Sequence, residues 1–322
     1  MSAVDPVTAT ERPRRWALPK ALGPRAQVAA GVVTGFVALA WADATGLLGT
    51  RPGWWLLPVA VAAALGGAAE FAALVARHGT RLREATVQCA VAALPVVTAV
   101  GATVATTTTP CASSLTGLGW AALACAVAVA ALLTAEVLHY GDGDRPVERA
   151  AAGALVVTLV GLPLAFMVAL RVVGGAAGME GRGAWPVIVP LVSLIAIVKG
   201  GDIAAYLVGS LIGRHRMAPR LSPGKTWEGA IASLLAAVGL AWLVIERGGG
   251  SARPVGGFVV FGLAVGALGM LGDLCESLIK REYDAKDSGT ALGRMGGVLD
   301  LVDSLTLAAP GAWALWTFGC PG

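Results

Sequence analysis

Nine stretches of predominantly apolar residues run through this sequence, at 27–48, 53–75, 86–108, 117–139, 150–171, 183–213, 227–245, 255–279 and 297–318. Each reaches the roughly 20 residues that a helix needs to cross the hydrocarbon core of a bilayer, and the sixth exceeds it. Such a series constrains the fold more than any single motif. The reading is an all-α, polytopic integral membrane protein with about nine transmembrane helices. Composition agrees, since 56% of residues are hydrophobic and only 14% are charged, against about 25% charged in a soluble domain. Mean hydropathy is +0.74. Ala, Gly, Val and Leu supply most of the apolar material, and small residues let helix backbones approach closely in lipid. The sixth stretch is too long for a plain span and has Lys199-Gly200-Gly201-Asp202 at its middle. Two short helices, one broken span, or a span followed by an interfacial helix all satisfy that pattern.

The basic residues orient the chain. With the N-terminus inside, 18 Lys and Arg residues fall in the tail and the inner loops. Only Arg51, Arg171, Arg182, Arg247 and Arg253 fall outside. That is the asymmetry expected of cytoplasmic loops. Splitting the sixth stretch into two crossings would destroy it. Residues 1–26 read as a cytoplasmic tail without a signal-peptide cleavage pattern, 27–180 as an N-terminal transmembrane region, and 181–322 as a C-terminal region that carries the chemistry. The net charge of +4 reads as topology and attraction to anionic lipid. Nucleic acid is excluded, because no basic stripe with interleaved aromatics occurs. The five cysteines lack metal-ligand spacing, and a small buried hydrophobe is the ordinary reading of each. Trp54 and Trp55 stand where interfacial anchors belong.

Chemical signal is sparse in the first half. Asp43, Glu70 and Glu136 lie within apolar stretches, where a carboxylate costs about 2.5–3.5 kcal/mol unless it meets a partner or a cavity. From Lys199 onward charges accumulate. Asp202, Glu228, Asp273, Glu276, Asp300 and Asp303 lie in or beside apolar segments, with Lys199, Arg214, Arg216, Lys225, Lys280, Arg281 and Lys286 near them. Asp273, Glu276 and Lys280 are spaced i, i+3, i+7, which places them on one helix face. Asp300 and Asp303 are again three apart. Two such faces opposed would gather up to four carboxylates, a hard oxygen set that suits Mg²⁺. The absence of histidine near either pair argues against Zn²⁺. Interhelical salt bridges are the competing reading.

The run GDIAAYLVGSLIGRHRMAPRLSPGKTWEGA (201–230) reads as helix, basic loop, helix. Asp202, Tyr206, Gly209 and Gly213 form a stripe on the first helix. Ser222 or Thr226 caps the second, with Pro223 near its first turn. A helix N-terminus beside Lys225 would receive phosphate. Gly224-Lys225-Thr226 has the ending of a phosphate-binding P-loop, but no glycine stands at the offset the first one needs and no strand is expected before it. His215 reads as a solvated loop histidine, with phosphate contact the alternative.

These residues resemble a known family, the phosphatidate cytidylyltransferases. The run SLIKREYDAKDSGTALGRMGGVLDLVD (277–303) follows that family's signature at nearly every fixed position. Asp202 with Tyr206 and Gly209, the run SPGKTWEG (222–229), and the run GDLCES (272–277) are similar to further family segments. Two positions depart: Met295 stands for the family's histidine and Leu301 for its arginine. The resemblance covers 199–305 well, and the N-terminal half only through hydropathy and Glu70.

The resemblance implies transfer of a cytidylyl group from CTP to phosphatidate in a polar, cytoplasm-facing cavity of the cell (inner) membrane. Asp273, Glu276, Asp300 and Asp303 would hold Mg²⁺. Lys280, Arg281, Asp273 and Asp300 would be catalytic, and Ser222, Lys225, Thr226, Lys286 and Asp202 would contact nucleotide. CTP, phosphatidate and membrane lipid are the implied partners, with a homodimer left open. Another CTP-dependent lipid enzyme, including a polyprenol or phytol kinase, is the nearest alternative. A membrane transporter is the alternative from another class.

Overall fold

The structure is a computed structural model. It describes residues 53–108, 115–141, 145–176, 184–248, 252–285, 288–289 and 297–319, with 35, 38–43 and 45 before them. The N-terminal tail, most of the first apolar stretch, Lys286, Arg294 and Met295 lie outside these residues.

Eight helical segments among the described residues are long and apolar enough to cross a membrane. They coincide with the second to ninth stretches of the sequence. The helices are α1 (Leu57–Ala76), α2 (Glu84–Thr108), α3 (Leu115–Leu138), α4 (Pro146–Val156), α5 (Leu162–Ala176), α6 (Ala184–Ile212), α7 (Trp227–Ala241), α8 (Gly257–Glu282), α9 (Val298–Val302) and α10 (Leu305–Gly319). A π-helical turn at Val157–Gly161 joins α4 to α5 in one span. The short α9 and α10 likewise share a span, interrupted at Asp303 and Ser304.

Helix association in lipid relies on close packing and interhelical hydrogen bonds, since the tails are as apolar as leucine. Both devices are visible. Trp313 and Trp316 of α10 are fully buried. Their rings lie 5.5 Å from Phe166 of α5 and 5.9 Å from Phe261 of α8. The Trp316 indole N–H donates to Ser193 Oγ of α6 at 3.2 Å, so the polar edge of a core aromatic is satisfied. Apolar side chains such as Leu123, Val127, Leu207 and Leu235 remain exposed, which on a spanning helix is the lipid-facing surface.

The sixth stretch forms one continuous helix, α6, of 29 residues. The break anticipated at Lys199–Asp202 does not occur. Gly200 and Gly201 instead face α7, where a Cβ on Gly201 would come within 2.7 Å of Ser233 Oγ. These glycines permit contact and do not interrupt the helix. A single crossing also preserves the charge asymmetry.

The segment between α6 and α7 is not a plain loop. Strands β1 (Arg216–Ala218) and β2 (Ser222–Thr226) form an antiparallel ribbon. Pro223 therefore lies on a strand and not in the first turn of α7. Thr226 is the N-cap, accepting the Gly229 N–H at 3.2 Å. A strand does precede the helix, but Gly224-Lys225-Thr226 belongs to β2 itself, so no glycine loop wraps a phosphate there.

Of the three carboxylates in the first half, two are structural. Asp43 accepts from the buried Arg171 guanidinium at 2.5 Å and from the backbone N–H of Gly53 at 3.0 Å. Glu136 joins Arg83 at 3.0 Å and Arg149 at 2.7 Å. Glu70 behaves differently, as described below. Of the cysteines, Cys89 is exposed and Cys125 and Cys275 are partly so, less enclosed than the sequence reading anticipates.

Candidate active site

The acidic residues of α8 and of the α9–α10 span meet because α8 is lined with glycine where they cross. Gly269 and Gly272 both face the interruption at 303–304. A Cβ on Gly272 would lie 2.6 Å from the Asp303 carbonyl oxygen and 3.4 Å from Ser304 Cα. Only a residue without a side chain allows that approach. The result is a group of three carboxylates, Asp273, Glu276 and Asp303, with ligand oxygens all within 4.8 Å of one another. Glu276 is buried and the other two are partly exposed.

Asp300 is not in that group. Its carboxylate accepts the Gly297 N–H at 2.6 Å, which caps α9, and pairs with Lys280. The four-carboxylate cluster anticipated from spacing is therefore a cluster of three plus one that holds a lysine. Residues three apart on α9 diverge because the helix ends at Val302, so Asp303 begins the interruption.

Each carboxylate has a lysine beside it. Lys225 Nζ, at the end of β2, lies 2.8 Å from Asp273. Lys280 Nζ lies 2.9 Å from Glu276 and also contacts Asp300. Lys199 Nζ donates to Ser304 Oγ at 2.8 Å and stands 3.8 Å from Asp303 and 3.7 Å from Asp202. The sequence reading assigns Lys199 and Ser304 no role. The available signal was a lone lysine within an apolar stretch, one turn before Asp202.

The end of α8 fixes the basic pair at its mouth. The helix closes after Glu282 with Asp284 in the left-handed region, at φ 47°. The Asp284 N–H donates to the Arg281 carbonyl at 3.2 Å and the Ala285 N–H to the Lys280 carbonyl at 2.7 Å, the paired bonds of a Schellman termination. Lys280 and Arg281 thus occupy the last turn, which favours cations. Arg281 Nε donates to the Leu221 carbonyl at 3.2 Å, tying α8 to the ribbon.

The remaining predicted residues are more peripheral. Ser222 is partly exposed on β2. Thr226 is buried, with its hydroxyl engaged in the α7 cap. Tyr206 is exposed on α6. His215 bonds Glu228 at 2.7 Å. Leu301 is partly exposed on α9. A cavity of about 560 Å³ lined by Arg81, Arg83, Glu84, His139 and Arg149 lies elsewhere, apart from the acidic group.

Chemically, the arrangement combines hard oxygen donors that suit a divalent cation with flexible cations able to receive phosphate. Comparison with known proteins points the same way. The sequence model of the cytidylyltransferase family matches residues 25–318. The chain is 41% identical over 123 residues to a phosphatidate cytidylyltransferase of Haemophilus influenzae, covering 37% of this chain and 43% of that protein. A phosphatidate cytidylyltransferase of Brucella melitensis is 46% identical over 130 residues, covering 40% and 46%. One from Pseudomonas aeruginosa is 39% identical over 137 residues, covering 42% and 51%. The matched part thus spans about half the length of these relatives.

Proposed function

This chain belongs to the cytidylyltransferase family, and from that premise we propose that it transfers the cytidylyl group of CTP to phosphatidate. The products are CDP-diacylglycerol and pyrophosphate. A phosphate oxygen of the lipid attacks the α-phosphorus of CTP. The bond from that phosphorus to the oxygen bridging it to the β-phosphate breaks, and pyrophosphate departs with the electron pair. A phosphate monoester is already a nucleophile, so the protein's task is alignment and charge neutralisation more than proton transfer.

The observation that carries this reading is the convergence of Asp273, Glu276 and Asp303 beside three lysines within a membrane-spanning bundle. Three carboxylates so close repel one another unless cations intervene. Their oxygen-only chemistry and spacing fit Mg²⁺, which typically takes one or two protein carboxylates together with water and phosphate. When bound, Mg²⁺ would neutralise charge on the triphosphate. Lys225 turns from Asp273, and Lys280 from Glu276, to phosphate as CTP enters, while Lys280 keeps its contact with Asp300. Arg281 and Lys286 bind the triphosphate and the lipid headgroup. Asp300 orients Lys280 from behind. Lys199 holds Ser304 and steadies Asp303. Ser222 and Asp202 line the nucleotide approach, and Thr226 supports it through the α7 cap.

The connections after Ala76, Leu138, Ile212 and Glu282 carry most of the basic residues between the eight spans, and alternate crossing would put these four on one side of the membrane. The asymmetry of Lys and Arg supports a cytoplasmic orientation for that side, in the cell (inner) membrane, where CTP is available. The N-terminal region supports the catalytic region 181–322.

The direct test uses purified protein in detergent with labelled CTP, phosphatidate and Mg²⁺. CDP-diacylglycerol should form, and chelation of Mg²⁺ should abolish it. Activity with a polyprenol or phytol as acceptor and none with phosphatidate would reject the reading in favour of a kinase.

A further inference from the structure

Glu70 links the N-terminal half to the acidic site. It lies on α1, one turn after Gly66, and is only 8% exposed. Its Oε2 accepts the Leu299 N–H at 2.9 Å, a bond between residues 229 positions apart. Its Oε1 is also buried and has no hydrogen-bond partner among the described residues. The surroundings are shaped to this carboxyl group. A Cβ on Gly289 would lie 2.5 Å from Glu70 Oε1, and one on Gly297 would lie 2.7 Å from Glu70 Cδ. Gly66 brings α1 against Val298, which a Cβ there would meet at 3.0 Å. Two successive turns of α1 thus grip the first two residues of α9.

That grip has consequences because α9 is only five residues long. A helix so short has almost no stability of its own, so its position depends on what holds it. Beyond Leu299 the connections run inward. Asp300 pairs with Lys280, Lys280 with Glu276, and Asp303 follows at the helix end beside Asp273.

We propose that Glu70 is a positioning residue for the reaction. The bond from the Leu299 N–H to its side-chain oxygen sets where Asp300 and Asp303 stand relative to Asp273, Glu276 and Lys280. The inference rests on the proposed cytidylyl transfer for its kinetic consequence, but not for its structural one. What matters is the reach of a hydrogen-bond acceptor from α1 and not its charge.

Two substitutions separate those properties. Glu70→Gln keeps the reach and an acceptor oxygen without the charge. Glu70→Asp keeps the charge but is one methylene short. The intact purified variants are compared by hydrogen exchange of the peptide covering 297–304, and by kcat, the KM for phosphatidate and the Mg²⁺ concentration giving half-maximal rate. Glu70→Gln should stay within about threefold of the parent in each. Glu70→Asp should exchange about tenfold faster at 299–302. It should also lose about tenfold or more in kcat and need more Mg²⁺, while the phosphatidate KM moves less than about twofold. Gly297→Ala, whose methyl would displace the carboxyl group, should reproduce the Glu70→Asp pattern and decides the matter where that variant does not purify. The proposal is overturned if Glu70→Gln is as impaired as Glu70→Asp, or if Glu70→Asp or Gly297→Ala behaves like the parent. A parent protein that exchanges as expected but makes no CDP-diacylglycerol would reject the functional reading alone, and the exchange comparison would still decide the positioning claim.

Discussion

Replacing Gly272 by alanine tests the packing that assembles the site. The new methyl would lie 2.6 Å from the Asp303 carbonyl oxygen and 3.4 Å from Ser304 Cα. These are backbone atoms with no rotamer by which to escape. Restoring ordinary contact requires the α9–α10 junction to retreat from α8 by about 0.8 Å. Asp303 would move with that junction while Asp273 and Glu276 stay on α8. Overpacking of this kind costs about 1–3 kcal/mol of stability. A catalytic group displaced by close to 1 Å can cost about 100-fold in rate. Gly262→Ala is the matched control. It is equally crowded, with its methyl 2.8 Å from Val238 Cα and 2.9 Å from the Ala237 carbonyl oxygen. However, it sits ten residues earlier on α8, about 15 Å along the helix. Both variants should lose similar thermal stability in detergent. Only Gly272→Ala should lose about 10–100-fold in CDP-diacylglycerol formed per milligram of monodisperse protein. Equal losses of activity in the two variants, or a Gly272→Ala enzyme within about twofold of the parent, would refute the claim that this crossing sets the carboxylate geometry.

Three other outcomes are expected. Asp303→Asn, which removes one charge from the group of three, should lower activity by about 100-fold or more and raise the Mg²⁺ needed for half-maximal rate, measured by metal titration of the purified variant. Glu136→Ala leaves Arg83 and Arg149 without their shared carboxylate, and should cost about 2–3 kcal/mol, below the full penalty of a buried pair because Arg83 is part-exposed. A melting curve should show that loss, with little change in the activity of the folded protein. Thr226→Val removes the α7 cap and should cost about 1 kcal/mol, whereas Thr226→Ser should retain most of it by the same measurement.

The apolar lengths alone determine that this chain is a bundle of spanning helices, because the bilayer core sets a minimum length that is counted directly along the sequence. The i, i+3 spacing of Asp273 and Glu276 likewise determines that they share a face, since that is a property of one helix. The two acidic pairs did not carry equal information. Asp303 joins the α8 carboxylates while Asp300 turns to Lys280 and to the Gly297 N–H, because α9 ends between them. Where a helix stops in the middle of a span depends on what it packs against. The same holds for Lys199, whose partner Ser304 lies 105 residues away. It holds for the glycines at 200 and 201, where a break and a close contact look alike in sequence. Glu70 shows the limit most clearly. Its burial in an apolar stretch was legible as a cost needing a partner, but the partner is a backbone N–H 229 residues later. Every residue other than proline carries that group, so no side chain marks which one is used. Only the crossing of α1 with α9 selects it.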